Sequence, residues 1–261
     1  MNIKCILSYD GTQYSGFQVQ KNAVTIQGTI EDALSQITGK HIRITAAGRT
    51  DAGVHACGQV INFTLRQVSI PPEKVSLALN AKLPSNIRIR CSERAERSFH
   101  ARYSAKVRLY VYRIRKWMRG IDTCYSAFDS NYSYMPNFEL ESIMFYKYLK
   151  HIEGIHDFSA FSSIHDTSLV KKREIFLADA VENSNYILIY IYGNSFLRNM
   201  VRYIVGNLLF ACKHGYPEDY LITLLRKGSK KDTQYVVPPN GLYLEKVFYS
   251  EIFGRRPYYI S

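Results

Sequence analysis

Asp51 stands in the segment 46–56, A-A-G-R-T-D-A-G-V-H-A, where Gly48 and Gly53 bracket Arg49, Thr50 and Asp51. Glycines permit a tight, strained loop that can hold a side chain outward. A carboxylate beside an arginine is kept ionised by the opposite charge, and an ionised carboxylate can act as a nucleophile. On residue type alone the segment fits equally well a surface turn with an Asx hydrogen bond and a solvated ion pair. It is not a phosphate-binding P-loop, because no Lys-Ser or Lys-Thr follows the second glycine. His55 and His100 are of a type that can serve as general bases, but a lone histidine is more often a structural hydrogen-bonding residue.

Such a loop needs rigid flanks, and the hydrophobic pattern supplies them. Residues 3–9 read as a strand closed by Asp10-Gly11. Ile26, Ile30, Ala33, Leu34 and Ile37 recur at helical spacing, with Thr25 as a cap and Gly39 as a stop. Ile42, Ile44 and Ala46 alternate as a half-buried strand, and Ile61, Phe63 and Leu65 do the same after the loop. A helix opening at Pro71-Pro72 and a strand through Ile87, Ile89 and Cys91 complete a β-α-β-β-α-β order. The second half repeats it: a strand at Val107, Leu109 and Val111, a helix at Leu140, Ile143 and Met144, and strands over 174–181 and 186–192 joined by a hairpin. A long helix over 196–213, a short one over 217–227 and a last strand over 242–249 follow.

The expected fold class is therefore α+β. Two ferredoxin-like β-α-β-β-α-β halves form a continuous mixed, mainly antiparallel sheet, with helices on one side and a cleft between the halves. The expected division is 1–103, carrying the Asp51 loop, and 104–261, completing the cleft. No Pro-, Gly- or Ser-rich linker separates the two, which predicts one continuous body, and a cleft between similar halves is a natural place for a site.

Composition narrows the partners. The chain has 261 residues, with 34 Lys and Arg against 22 Asp and Glu, a formal net charge of +12. Such an excess attracts polyanions, of which nucleic acid is the commonest inside cells, although a basic surface also serves solubility. The 21 tyrosines include Tyr110 and Tyr112, interleaved with Arg113 and Arg115, a pattern able to stack on unpaired bases as well as to pack a sheet. Cys5, Cys57, Cys91, Cys124 and Cys212 are odd in number and scattered, so neither a zinc site nor a disulfide framework is indicated. No signal peptide is evident, and the strongly apolar run over 186–192 is far too short to span a bilayer. The expected location is the cytoplasm, with no membrane association.

The segment Gly48 to Ala56, G-R-T-D-A-G-V-H-A, resembles over nine contiguous residues the catalytic loop of the tRNA pseudouridine synthase A family. Other segments agree in order: Tyr9-Asp10-Gly11 with Tyr14, Gly16, Gln18 and Gln20; Thr25, Ile26, Gln27 and Gly28; Gly58-Gln59-Val60; Asn80, Ala81, Leu83 and Pro84. They continue with Phe99-His100-Ala101-Arg102, Tyr110 and Tyr112, His156-Asp157-Phe158, Asn199-Met200-Val201-Arg202 with Ile204-Val205-Gly206, and Gly241-Leu242. Phe17 stands where the family usually has Trp, which keeps an aromatic wall and loses the indole donor.

The resemblance implies isomerisation of uridine to pseudouridine at positions 38 to 40 of the tRNA anticodon arm, by a homodimer, with Asp51 as nucleophile. No atom is lost and no redox occurs, so the implied cofactor is none and the implied metal is none. By the same resemblance Tyr110 stacks on the uracil and assists removal of the C5 proton, and Arg202 reaches across from the second half as ion partner of Asp51. Arg49 is a second partner or occupies the place of the flipped base, and Leu242 lines the base pocket. Phe99, His100 and Arg102 contact RNA, with Arg113, Arg115, Lys116, Lys171, Lys172 and Arg173 as further basic candidates. Two other classes fit the bare residues: an RNA-binding module that only stacks bases, and a hydrolase of N-glycosidic bonds. A pseudouridine synthase with other targets is a third possibility.

Overall fold

A computed structural model describes residues 1–66, 70–117, 127, 129–140, 142–233 and 235–250; Cys124 lies outside them. Strand β1 (Asn2–Tyr9) buries alternate residues, Ile3, Cys5, Leu7 and Tyr9, as a one-face-covered strand must. Helix α1 (Ile26–Thr38) begins where the Thr25 hydroxyl accepts the Gly28 N–H and stops at Gly39, whose φ of 68° ends the helix without a Cβ penalty. Strands β2 (Thr45–Ala46) and β3 (His55–Thr64) flank the Asp51 loop. A short 3-10 turn leads into α2 (Val75–Asn80), and β4 (Ile87–Ala95) follows.

The second half runs through β5 (Val107–Arg115), α3 (Ser142–Lys150), β6 (Gly154–Asp157), β7 (Lys172–Glu182), β8 (Tyr186–Gly193), α4 (Met200–His214), α5 (Tyr220–Lys227) and β9 (Leu242–Phe248). These strands form one sheet in the order β4-β1-β3-β9-β5-β8-β7-β6, with β2 paired beside β3. The first half contributes β4-β1-β3-β2 and the second β9-β5-β8-β7. That is the same order twice, the signature of the duplicated ferredoxin-like unit. Every pairing is antiparallel except β3 with β9, which is parallel where His55 meets Tyr243 and Ala56 meets Leu244.

That parallel seam joins the halves. A Cβ on Gly58 would lie 2.4 Å from the Glu245 carbonyl oxygen, so any side chain there would push β3 off β9. Buried residues of all five helices join one apolar cluster with Ile3, Leu7, Ile61, Tyr110, Tyr112, Ile189 and Leu244. The helices therefore cover one face of the whole sheet. Among the described residues, no helix is long and apolar enough to cross a membrane.

Three elements differ from expectation. The strand expected through Ile42 and Ile44 shrinks to Thr45–Ala46, because the Ile44 N–H is taken by the buried Glu31 carboxylate at 3.0 Å instead of by a strand neighbour. The long helix begins at Met200, since Asn199 adopts a left-handed φ of 61° that interrupts a helix. Strand β6 carries no periodic signal: Ile155 is two-thirds exposed, and only the backbone ladder to β7 holds the edge.

Candidate active site

The loop between β2 and β3 is fixed before it reaches Asp51. The Tyr9 hydroxyl and Thr50 Oγ1 share a hydrogen bond of 2.8 Å, both groups buried. Gln59, fully buried, donates to the Gly48 carbonyl at 2.8 Å and to the Tyr9 hydroxyl at 3.4 Å. Phe17 N–H donates to the Thr50 carbonyl at 3.0 Å, while its ring lies in the core beside Tyr9. The aromatic wall expected at Phe17 is therefore part of the packing under the loop. Gly53, at φ 75°, turns the chain back into β3, and a Cβ there would lie 2.8 Å from the Pro239 ring. Buried polar groups satisfied in this way are costly to disturb, which makes the loop rigid.

His55 closes the loop as a brace. Its Nδ1 accepts the Gly11 N–H at 3.1 Å, its Nε2 contacts the Asn131 carbonyl at 2.9 Å, and its ring stacks on Tyr243. The Asp10 carboxylate also lies 3.2 Å from Nδ1, so both ring nitrogens are occupied whichever of them carries the proton. Burial holds the His55 pKa below its ordinary value, which keeps the ring neutral with both nitrogens engaged. His100 is likewise used locally: Nδ1 accepts from the Arg102 and Tyr103 N–H groups, and the ring stacks on Tyr103. Neither histidine is free to act as a general base in this arrangement.

Asp51 itself keeps its side chain 28% exposed, and Arg198 Nε stands 3.7 Å from its Oδ1. Arg198 comes from the turn before α4, so the second half faces the loop of the first. Arg202 takes a different place from the one expected. It donates from Nε to the Val237 carbonyl at 2.8 Å and from Nη1 to Asn199 Oδ1 at 3.0 Å, and it stands beyond ion-pair distance of Asp51. The direct partner is Arg198, while Arg202 acts through space. Desolvation is the largest influence on Asp51 and raises its pKa above the ordinary carboxylate value; the Arg202 and Arg198 charges, the Asn199 N–H at the mouth of α4, and Arg49 oppose it. The expectation of a carboxylate held ionised by charge alone thus gives way to a balance in which exclusion of water dominates.

Around this pair, Tyr110 projects from β5, buried and edge-on to Phe196 with ring centroids 4.9 Å apart. Its hydroxyl has no hydrogen-bond partner among the described residues, and Gly48 leaves it room: a Cβ there would lie 4.0 Å from the oxygen. Burial first, then the Tyr9 and Asp51 charges, push its pKa far upward, so it is protonated at neutral pH. Leu242, buried, pairs with Tyr112 at the start of β9, on the seam. Arg49 is exposed and donates to Gln18 Oε1 at 2.8 Å. Phe99 packs against Tyr249 and lies under the Lys4 ammonium, and its carbonyl accepts from Asn2 and Asn62. Arg102 is exposed. The structure thus gathers Asp51, Arg49, Arg202 and Tyr110, while Phe99 and His100 are engaged within their own loop.

Sequence reasoning set Arg198 one turn from Arg202 on the long helix and gave it no role, whereas it lies in the turn before α4 and meets Asp51. It missed Asp166, whose buried carboxylate accepts the Arg198 N–H at 2.6 Å and pairs with Lys171 at 2.6 Å. A carboxylate two residues before Ser168 resembles any Asx turn, so no local signal separated it.

The comparisons with known proteins bear on this arrangement. The family model described as tRNA pseudouridine synthase matches residues 6–104 and 149–250. The tRNA pseudouridine synthase A of Geobacillus sp. (strain WCH70) is 41% identical over 251 residues, covering 95% of this chain and 98% of that protein. That of Clostridium acetobutylicum is 38% identical over 248 residues (95% and 99%), and that of Brachyspira hyodysenteriae 34% over 250 residues (96% and 99%). The chain belongs to the tRNA pseudouridine synthase family.

One prediction follows from the ion pair. An exposed pair of this length contributes about 0.5 kcal/mol, equivalent to roughly 0.4 of a pKa unit. Arg198 lowers the Asp51 pKa, so Arg198→Ala raises it further, and the acid limb of kcat/KM should move upward by a few tenths of a pH unit. A limb that stays put or moves down contradicts the assignment.

Proposed function

We propose that this chain isomerises uridine to pseudouridine in the anticodon arm of tRNA, at positions 38 to 40, with Asp51 as the nucleophile. The observation that carries this reading is the half-buried Asp51 carboxylate on a rigid loop, facing Arg198 across the halves, with the unpartnered Tyr110 hydroxyl nearby on β5. The reaction breaks the C1′–N1 bond, turns the uracil and joins C1′ to C5. The C5 proton leaves and N1 regains one, so the atoms balance with no redox step and no cofactor. Asp51 supplies the electron pair, at C6 of the ring or C1′ of the sugar, or assists a glycal route. Tyr110 enters protonated, so it gives its proton to N1 as the C1′–N1 bond breaks and takes the C5 proton once C1′ is joined to C5, which returns it to its starting state.

A stacked uridine cannot reach Asp51. The nucleotide must leave the stack at a cost of a few kcal/mol, offset by contacts between the basic surface and phosphates. Exposed Arg49 is the candidate to fill the vacated place, and Leu242 to line the pocket. Phe99, His100 and Arg102 are proposed as an RNA-contacting edge, through the exposed Arg102 and the outer surface of that loop. A cytoplasmic homodimer, one subunit holding the tRNA body while the other modifies the arm, completes the reading. Nucleotide-resolution mapping of pseudouridine in tRNA from cells with and without this gene tests it: pseudouridine should vanish from positions 38 to 40 alone. Loss at other positions would overturn the target assignment, and no loss would overturn the function.

A further inference from the structure

We propose that Arg108 is a positioning residue for this isomerisation: its buried guanidinium fixes the Asp51 loop against the second half of the sheet, beside the Tyr110 hydroxyl. The inference rests on the roles of Asp51 and Tyr110 given above. Arg108 is 7% exposed, and a buried arginine ordinarily has a carboxylate partner. Among the described residues this one has none: its electrostatic neighbours there are Tyr110, Tyr249 and Arg102. All five of its N–H donors go instead to backbone carbonyls. Nε and Nη2 donate to Ala47 at 3.1 and 2.8 Å, Nη2 also to Arg102 at 2.8 Å, and Nη1 to Ala105 and Asn194.

Those acceptors come from separate parts of the chain. Ala47 precedes Gly48 at the root of the Asp51 loop, Arg102 and Ala105 belong to the stretch leading into β5, and Asn194 follows β8 in the second half. One side chain therefore sets the loop of the first half against the end of a strand in the second. The planar five-donor fork of arginine suits this; an ammonium has three donors and no fork. The approach to the site is close as well. A Cβ on Gly48 would lie 3.9 Å from Arg108 Nε and 4.0 Å from the Tyr110 hydroxyl, so guanidinium, hydroxyl and loop backbone form one layer.

The strand register makes the arrangement specific. Arg108, Tyr110 and Tyr112 occupy alternate positions on one face of β5. Arg108 holds the Asp51 side, and Tyr112 donates to the Pro238 carbonyl at 2.8 Å, next to Val237, whose own carbonyl holds Arg202. Tyr110, between them, is left for the substrate. The buried Arg108 charge favours the transient negative charge on Tyr110 as the proton is relayed.

The test uses Arg108→Lys and Arg108→Gln in the full chain. Single-turnover pseudouridine formation and tRNA affinity are measured, with rates corrected for the folded fraction by circular dichroism. Amide hydrogen exchange is followed over 47–54. We expect tRNA affinity within about threefold of wild type and a rate loss of about a hundredfold or more, the cost of a small misplacement of reacting groups. The 47–54 amides should exchange faster while β8 stays protected. A wild-type rate in Arg108→Lys, unchanged loop exchange, or a rate loss accounted for by weaker tRNA binding would overturn the proposal. Failure of both variants to fold would overturn it in favour of a purely structural role. If the wild-type chain forms no pseudouridine, the functional reading fails, and the exchange measurement still decides whether Arg108 fixes the loop.

Discussion

Asp51→Asn should abolish pseudouridine formation, with a loss of about ten-thousand-fold or more, roughly 5 kcal/mol of transition-state stabilisation at about 1.4 kcal/mol per factor of ten. The amide has nearly the carboxylate's shape but cannot supply the electron pair. The loop should stay in place, because its anchors are Tyr9, Gln59 and Phe17 acting on Thr50 and Gly48, not the Asp51 side chain. tRNA affinity should therefore change little. Stability should not fall and should rise slightly at neutral pH. Burial raises the folded pKa of Asp51, so folding disfavours the ionised form. That penalty is complete above the folded pKa and disappears below the unfolded value of about 3.9. The stabilisation from Asp51→Asn should accordingly be present at neutral pH and vanish as pH falls through that window, as thermal melts at several pH values would show. Such a residue spends stability for function. A variant that melts lower at neutral pH would point to a structural role for the carboxylate.

Arg202→Ala should have the next largest effect, a fall in kcat of about a hundredfold to a thousandfold with tRNA affinity within about threefold. Removing the guanidinium leaves the Val237 carbonyl and Asn199 Oδ1 without their donor. It also frees the left-handed Asn199, whose N–H faces Asp51 and whose neighbour Arg198 pairs with it. At the same time Asp51 loses the largest of its opposing charges. Arg202→Lys should rescue little, since one ammonium cannot serve both acceptors with the fork's geometry. Steady-state kinetics beside a binding isotherm separates this from an exposed basic helix face. If Arg202 were only such a face, tRNA binding would weaken while kcat stayed normal.

Much of this architecture was legible because apolar alternation and helical spacing report which face of an element is covered. β1, α1, β7 and β8 fall where Ile3 to Tyr9, Ile26 to Ile37 and the two runs around residues 182–185 place them. The duplicated order was legible for the same reason. Contacts made by single polar atoms were not. Glu31 takes the Ile44 N–H and shortens β2; Asn199 turns left-handed and delays α4; neither leaves a periodic trace. The site divides in the same way. A contiguous motif and its companions singled out Asp51, Tyr110 and Arg202, but the expected Arg202–Asp51 ion pair is replaced by Arg202 bonds to the Val237 carbonyl and Asn199 Oδ1. Arg198 and Arg108 act on segments far away in sequence, and spacing along the chain says nothing about which carboxylate or carbonyl a long side chain will meet.

Tritium release from tRNA carrying uridine labelled at C5, incubated with the purified full-length protein, tests the central claim most directly. Joining C1′ to C5 must expel the C5 hydrogen. The account predicts tritium in water in step with pseudouridine formed, no free uracil, and neither signal with Asp51→Asn. Free uracil without pseudouridine would reveal an N-glycosidic hydrolase. Tight tRNA binding with no tritium released would reveal a binding module, and either result would contradict the account.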